Sequence, residues 1–152
     1  MNGVKRIAFS AHDALKPALS AWAFANEAAL RHHSLTATGN TARAIMDATR
    51  LTVDSLKAGV LGGDLELGAL IAEGQVDVAF LFADPLTRQP HDVDHTPILR
   101  VAAISQTVVA LNEATADFLL RSALFDGPYH RPHGGRPLPA VPTQLGDHRR
   151  AS

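Results

Sequence analysis

The sequence predicts a small open doubly wound α/β sandwich, with a five-stranded, mostly parallel sheet and helices on both faces. Three observations carry that expectation. Over residues 1–126, short β-prone runs alternate with longer segments whose apolar residues recur at helical spacing. The run Val78-Ala79-Phe80-Leu81-Phe82 is apolar on both faces, as an interior parallel strand covered by helices must be. Finally, 152 residues that are 46% hydrophobic and 19% charged supply one real core and too little charge for general disorder.

The β-prone runs are Arg6–Ser10, Leu35–Thr38, Leu51–Leu56, Val76–Phe82 and Thr107–Leu111. Between the first two, Leu15, Leu19, Trp22 and Ala25 or Asn26 fall at steps of three and four. A helix is placed just after Thr38, and another is headed by Asp64 with Leu65, Ala69 and Ala72 on one stripe. Ile98, Val101, Ala102 and Ser105 mark the next, and Phe118, Leu119 and Ser122 a weaker one. Length separates the two kinds of element, since the helical stretches run to ten residues or more and the strands to about five. Composition changes near Asp126. Residues 127–152 hold five of the nine prolines and four of the eleven glycines, so they read as a flexible Pro/Gly/Arg/His-rich tail behind a domain of residues 1–126. His130, His133 and His148 in that tail suit adventitious metal binding at most.

Composition excludes several classes. A formal net charge of −1 offers nothing to draw the chain to nucleic acid or an anionic membrane. The absence of cysteine removes disulfides, thiolate metal sites and a cysteine nucleophile. The longest apolar stretch, Val78 to Ala83, is far short of the about 20 residues that span a bilayer. His12 and Asp13 interrupt the start before a signal peptide's apolar region can form, so a cytoplasmic protein is expected.

In an open parallel sheet, ligands sit beyond the carboxyl ends of the strands, and the residues there belong together. The first strand is followed by His12, Asp13 and Lys16, the second by Thr38, Gly39, Asn40 and Thr41. The latter group suits either an anion cradle of backbone amides or a plain helix cap. Lys57-Ala58-Gly59-Val60-Leu61-Gly62-Gly63-Asp64 follows the third strand, with Asp64 readable as an N-cap or as a base. After the fourth come Asp84-Pro85-Leu86 and Pro90-His91-Asp92-Val93-Asp94-His95. His91 and His95, four apart with carboxylates between, make a hard metal conceivable, but Pro90 and the alternating charges read as a loop entering a helix. The fifth strand leads into Asn112-Glu113-Ala114-Thr115-Ala116-Asp117. Together the edge offers a carboxylate base in Asp64, a proton carrier in His91, an anion-binding Lys16 and glycine-rich turns. That equipment suits a small phosphorylated metabolite and proton-transfer chemistry.

The series Ala11-His12-Asp13 with Lys16, Ala37-Thr38-Gly39, Gly62-Gly63-Asp64, Asp84-Pro85-Leu86, Pro90-His91-Asp92 and Ala114-Thr115-Ala116-Asp117 resembles methylglyoxal synthase, in order and spacing, over roughly residues 5–126. The resemblance implies a doubly wound α/β fold and a homohexamer. It implies a carbon–oxygen lyase that turns dihydroxyacetone phosphate into methylglyoxal and inorganic phosphate, without metal or organic cofactor. By the same resemblance, Asp64 matches the catalytic carboxylate. His12, Lys16, Thr38, Gly39, Asn40, Thr41, Ala58, Gly59 and His91 match substrate-binding positions. Asp94 matches an acidic residue of the site, as do Asp13 and Asp84, and Asp94 and His91 join Asp64 as catalytic candidates. Ala58 stands where the family usually has serine, Asn40 replaces a threonine, Val60 a proline and Leu65 a glutamine. The family's final strand and helix are not recognisable beyond Phe125. The competing expectation is a non-catalytic effector-binding module of the same fold, such as the regulatory domains of carbamoyl phosphate synthetases, or a subunit that kept the fold without turnover.

Overall fold

The computed structural model describes residues 3–87 and 89–132. Five strands form one sheet: β1 (Arg6–Ala11), β2 (Ser34–Ala37), β3 (Asp54–Ser55), β4 (Val78–Phe82) and β5 (Val108–Ala110). Every pairing is parallel, and the order across the sheet is β3-β2-β1-β4-β5. The helices are α1 (Lys16–Ala25), α2 (Glu27–Leu30), α3 (Gly39–Ala48), α4 (Gly63–Ala72), α5 (Thr96–Ser105), α6 (Glu113–Leu120) and α7 (Ala123–Asp126), with 3-10 turns at Asp13–Leu15 and Gly59–Leu61.

Strand alternation divides the core into two layers. Ile7, Phe9 and Ala11 of β1 and Val78, Phe80 and Phe82 of β4 face Leu19 and Trp22 of α1, Ala42 and Ile45 of α3 and Ala116 of α6. Ala8, Ala79 and Leu81 point the other way, against Leu67 and Ile71 of α4 and Ile98 and Ala102 of α5. β4 is buried at all five positions, as expected for a strand covered on both faces.

The differences from expectation are local. Leu51 and Val53 are buried in the core, yet only Asp54 and Ser55 of that apolar run pair with β2. The weak helical pattern at Phe118–Ser122 breaks after Leu120, because Ser122 starts α7 by accepting from the Leu124 amide.

The boundary at Asp126 also carries contacts that composition did not suggest. The buried Lys5 donates from Nζ to the Gly127 carbonyl across 2.6 Å. The Arg131 guanidinium reaches Asp77, which Arg6 already grips from Nε (3.2 Å) and Nη2 (2.9 Å). Residues 127–132 therefore lie against the amino-terminal edge of the sheet. The rest of the expected tail, with His133 and His148, lies outside the described residues.

Candidate active site

The chain runs outward from β1 through β2 to β3, then returns to place β4 on the other side of β1. β1 and β4 are therefore neighbours, and the loops that leave their carboxyl ends border a cleft there. Ala11, Asp13, Lys16, Thr38, Asn40, Gly59, Val60, His91, Asp92 and Val93 line a cleft of about 40 Å³ there.

Asp13 is the hub of the cleft. Its Oδ2 lies 2.7 Å from His91 Nε2, and its Oδ1 accepts from Lys16 Nζ. Those hydrogen bonds, Lys16's first and His91's second, hold the Asp13 carboxyl below the usual carboxylate range. The Asp13 amide in turn donates to Asp92 Oδ1 at 3.3 Å, and Asp92 Oδ2 accepts from the Gln89 amide at 2.7 Å. Asp13, His91 and Asp92 bring donor atoms within 4.8 Å of one another, a spacing that suits a metal ion, but the Lys16 ammonium already supplies the positive charge at Asp13.

Thr38 and Thr41 are buried and bonded to each other through their hydroxyls at 3.2 Å. Thr38 occupies the N-cap of α3 without a side-chain cap hydrogen bond, so the plain-cap reading of this segment is not what the structure adopts. The Gly39 amide donates to the Lys57 carbonyl at 3.1 Å, while the amides of Asn40 and Thr41 have no intrahelical acceptor in the first turn.

Glycine is required twice beside the cleft. A Cβ on Gly59 would stand 2.4 Å from Val93 Cγ2, so the loop after β4 closes over a bare backbone. A Cβ on Gly63 would meet the Lys57 carbonyl oxygen at 1.8 Å, so only glycine lets the chain double back into α4. Ala58 precedes Gly59, and its carbonyl accepts from the Leu61 and Gly63 amides.

Other candidates are not among the residues that line this cleft. Asp64 sits in the first turn of α4, half-buried; the N-cap is Gly62, and the Asp64 carboxylate has no hydrogen-bond or ion-pair partner among the described residues. Asp94 accepts from the Thr96 amide at 3.0 Å and lines a larger cavity with His12, His95, Asn112 and Leu111. His95 is buried and stacked on His12, ring centroids 4.9 Å apart, so it does not join His91 in a metal pair. Asp84 accepts from the Leu86 and Thr87 amides and the Thr87 hydroxyl, a self-contained turn; the Thr87 hydroxyl foremost keeps its carboxyl low. Asn112 caps α6 by accepting from the Thr115 amide, and Asp117 accepts from Trp22 Nε1. The role of His12 as a buried ring held by backbone groups at both nitrogens was not legible in sequence, because both partners lie more than 70 residues away.

An α/β domain with its cleft at this switch point falls into the MGS-like class, and the family model described as "MGS-like domain" matches residues 20–110. A methylglyoxal synthase of Coxiella burnetii is 46% identical over 127 residues, covering 84% of this chain and 89% of that protein. One from Clostridium acetobutylicum is 44% identical over 131 residues, covering 86% and 90%. The crystal structure of methylglyoxal synthase from Elizabethkingia anophelis superposes with a TM-score of 0.81 at 34% identity, covering 93% of this chain and 97% of that one. The chain belongs to the methylglyoxal synthase family.

Proposed function

We propose that this protein is a lyase that converts dihydroxyacetone phosphate to methylglyoxal and inorganic phosphate. The observation that carries the reading is the assembly of Lys16, Asp13 and His91 against the open first turn of α3 and the bare Gly59, at the sheet's switch point. Lys16, Thr38, the amides of Gly39, Asn40 and Thr41, and the Ala58–Gly59 turn hold the phosphoryl group. Asp64 removes a proton from the hydroxymethylene carbon, alpha to the carbonyl. Its free carboxylate suits that role better than Asp13, whose proton affinity is lowered by two hydrogen bonds.

His91 Nε2 lies 2.7 Å from Asp13 Oδ2. In the reaction the ring turns from Asp13 to the carbonyl oxygen of the substrate. There the ring stabilises the developing enediolate. With the bridging C–O bond perpendicular to the enediolate plane, the electron pair released from carbon expels phosphate. The remaining enol then takes up a proton at the terminal carbon and becomes methylglyoxal. Asp94 and His91 carry protons between these groups and solvent. Lys16 and the turn amides stabilise the leaving dianion, which as free phosphate competes for the same site.

Val60, Leu61 and Leu65 expose 61–73% of their surface beside the cleft, which supports self-association, and we propose the homohexamer that the family resemblance implies, working in the cytoplasm. Incubating the purified chain with dihydroxyacetone phosphate and measuring dicarbonyl and phosphate together tests the reading. Equimolar release is expected. Binding without release would mark an effector-binding module instead.

A further inference from the structure

His95 is the N-cap residue of α5, yet its buried side chain makes no capping hydrogen bond to that helix. Asp94 takes that part, accepting from the Thr96 amide at 3.0 Å. The His95 ring turns inward instead, onto the end of β1. Ser10 and His12 are two apart there, so they present their side chains to the same face. His95 meets both. Its Nε2 lies 3.3 Å from Ser10 Oγ, and its ring lies on the His12 ring, centroids 4.9 Å apart and planes 12° from parallel. Ser10 Oγ is in turn 3.5 Å from Thr38 Oγ1, which is bonded to Thr41 Oγ1 at 3.2 Å. Four buried polar side chains thus run from the start of α5, across the ends of β1 and β2, to the first turn of α3.

We infer that His95 is a positioning residue for the substrate site, holding two of its side chains at once without touching substrate itself. The stack fixes the plane of the His12 ring, and the link through Ser10 holds the Thr38 hydroxyl against rotation. His12 and Thr38 are both positions that the family resemblance assigns to substrate. His95 lines the cavity shared with Asp94 and Asn112, not the cleft that holds Lys16 and His91. Burying two hydroxyls and an imidazole is costly unless each finds a partner, and apolar side chains would fill the same space without that demand. A polar line along this edge of the sheet has its use in orientation: bonded groups in a low-dielectric setting polarise and steady one another.

The inference rests on the proposed reading of the cleft as a phosphoryl site, with His12 as a contact to the triose. Two conservative variants separate the two uses of the ring. His95→Phe keeps a flat ring on His12 and drops the bond to Ser10, whereas His95→Gln keeps an amide in reach of Ser10 and drops the stack. When the full chain is titrated with inorganic phosphate, His95→Phe should bind about three- to tenfold more weakly than wild type, and His95→Gln within about twofold. Ser10→Ala removes the same link from the other side, so it should match His95→Phe, and it carries the test if either histidine variant fails to fold. The double variant Ser10→Ala with His95→Phe should bind no more weakly than either single one. In steady state His95→Gln should lose about tenfold in kcat/KM for dihydroxyacetone phosphate, beyond any change in phosphate affinity. A structural role alone would lower the urea midpoints and leave these ratios unmoved, which would overturn the inference. Equal phosphate affinities in His95→Phe and His95→Gln would overturn it too. A wild-type chain that binds phosphate but releases no dicarbonyl would remove the reaction alone, since the phosphate titrations are read without turnover.

Discussion

The His91 ring and the Asp13 carboxylate meet at 2.7 Å across 78 residues of sequence, joining the loop after β4 to the turn after β1. Asp13 also accepts from Lys16, so the two cationic or proton-donating groups proposed for catalysis share one carboxylate. In the proposed reaction substrate draws both away from Asp13, and proton abstraction falls to Asp64, which has no such ties among the described residues.

Asp64→Asn should therefore reduce turnover at least about a hundredfold, the usual scale for loss of a general base, with phosphate affinity unchanged. Asp13→Asn should cost less in turnover and show mainly in substrate affinity and in the pH profile. Steady-state kinetics on both variants decides between them. An Asp64→Asn enzyme with more than a tenth of wild-type turnover would transfer the base to Asp94 or Asp13.

His91→Gln keeps an amide donor near the carbonyl but cannot shuttle a proton. Turnover should fall about tenfold to a hundredfold, with the Michaelis constant moving less. Rapid-quench analysis of products checks the second half of the expectation, that the enediolate partitions away from methylglyoxal when reprotonation is slow.

Ala58→Ser should strengthen phosphate binding. A hydroxyl beside Gly59 can donate to a phosphoryl oxygen, and hydrogen bonds to charged groups contribute roughly 1.5–3 kcal/mol. The phosphate dissociation constant should fall about tenfold and the Michaelis constant with it, while turnover changes little, because ground and transition states share the contact. Isothermal titration of the two proteins with phosphate measures it; equal affinities would place the phosphoryl group away from this turn.

Asp77 should dominate the acid limb of stability. Burial is the largest influence and raises its pKa, but the hydrogen bonds and charge of Arg6, with Arg131, together bring the carboxyl below its ordinary value. A depressed carboxylate stabilises the fold fully above its unfolded pKa of about 3.9, and that stability is lost as pH falls through the lower folded value. Asp77→Asn should cost about 3–5 kcal/mol at neutral pH, since it leaves the Arg131 guanidinium buried without a counter-charge. Its denaturation midpoint should also vary less with pH below about 4 than the wild type's. Urea titrations at pH 7, 4 and 3 would show both.

Truncation separates the two parts of the expected tail. A chain ending at Pro132 retains the Arg131–Asp77 and Lys5–Gly127 bonds, whereas one ending at Asp126 loses both. The shorter chain should unfold at a midpoint lowered by the equivalent of about 3 kcal/mol, with the longer one close to the full chain. Equal midpoints for the two truncations would show that Arg131 contributes nothing to folding.

By itself the sequence determined the alternation of strands and helices, the interior placement of Val78–Phe82 and the gathering of polar residues at the strand ends. These follow from local periods: two residues for a strand and 3.6 for a helix decide which side chains share a face. In a parallel sheet, covalent order puts every post-strand residue on the same edge. Tertiary structure decided the rest. The order β3-β2-β1-β4-β5 places the loops of β1 and β4 together, so that Asp13 meets His91 and His12 spans Asp84 and Val93. It also brings Arg131 to Asp77, in a segment whose proline and glycine content reads as a tail. Such partners leave no local trace, because a hydrogen bond depends on a few tenths of an ångström between groups tens of residues apart, and only the packed layers beneath them set that distance.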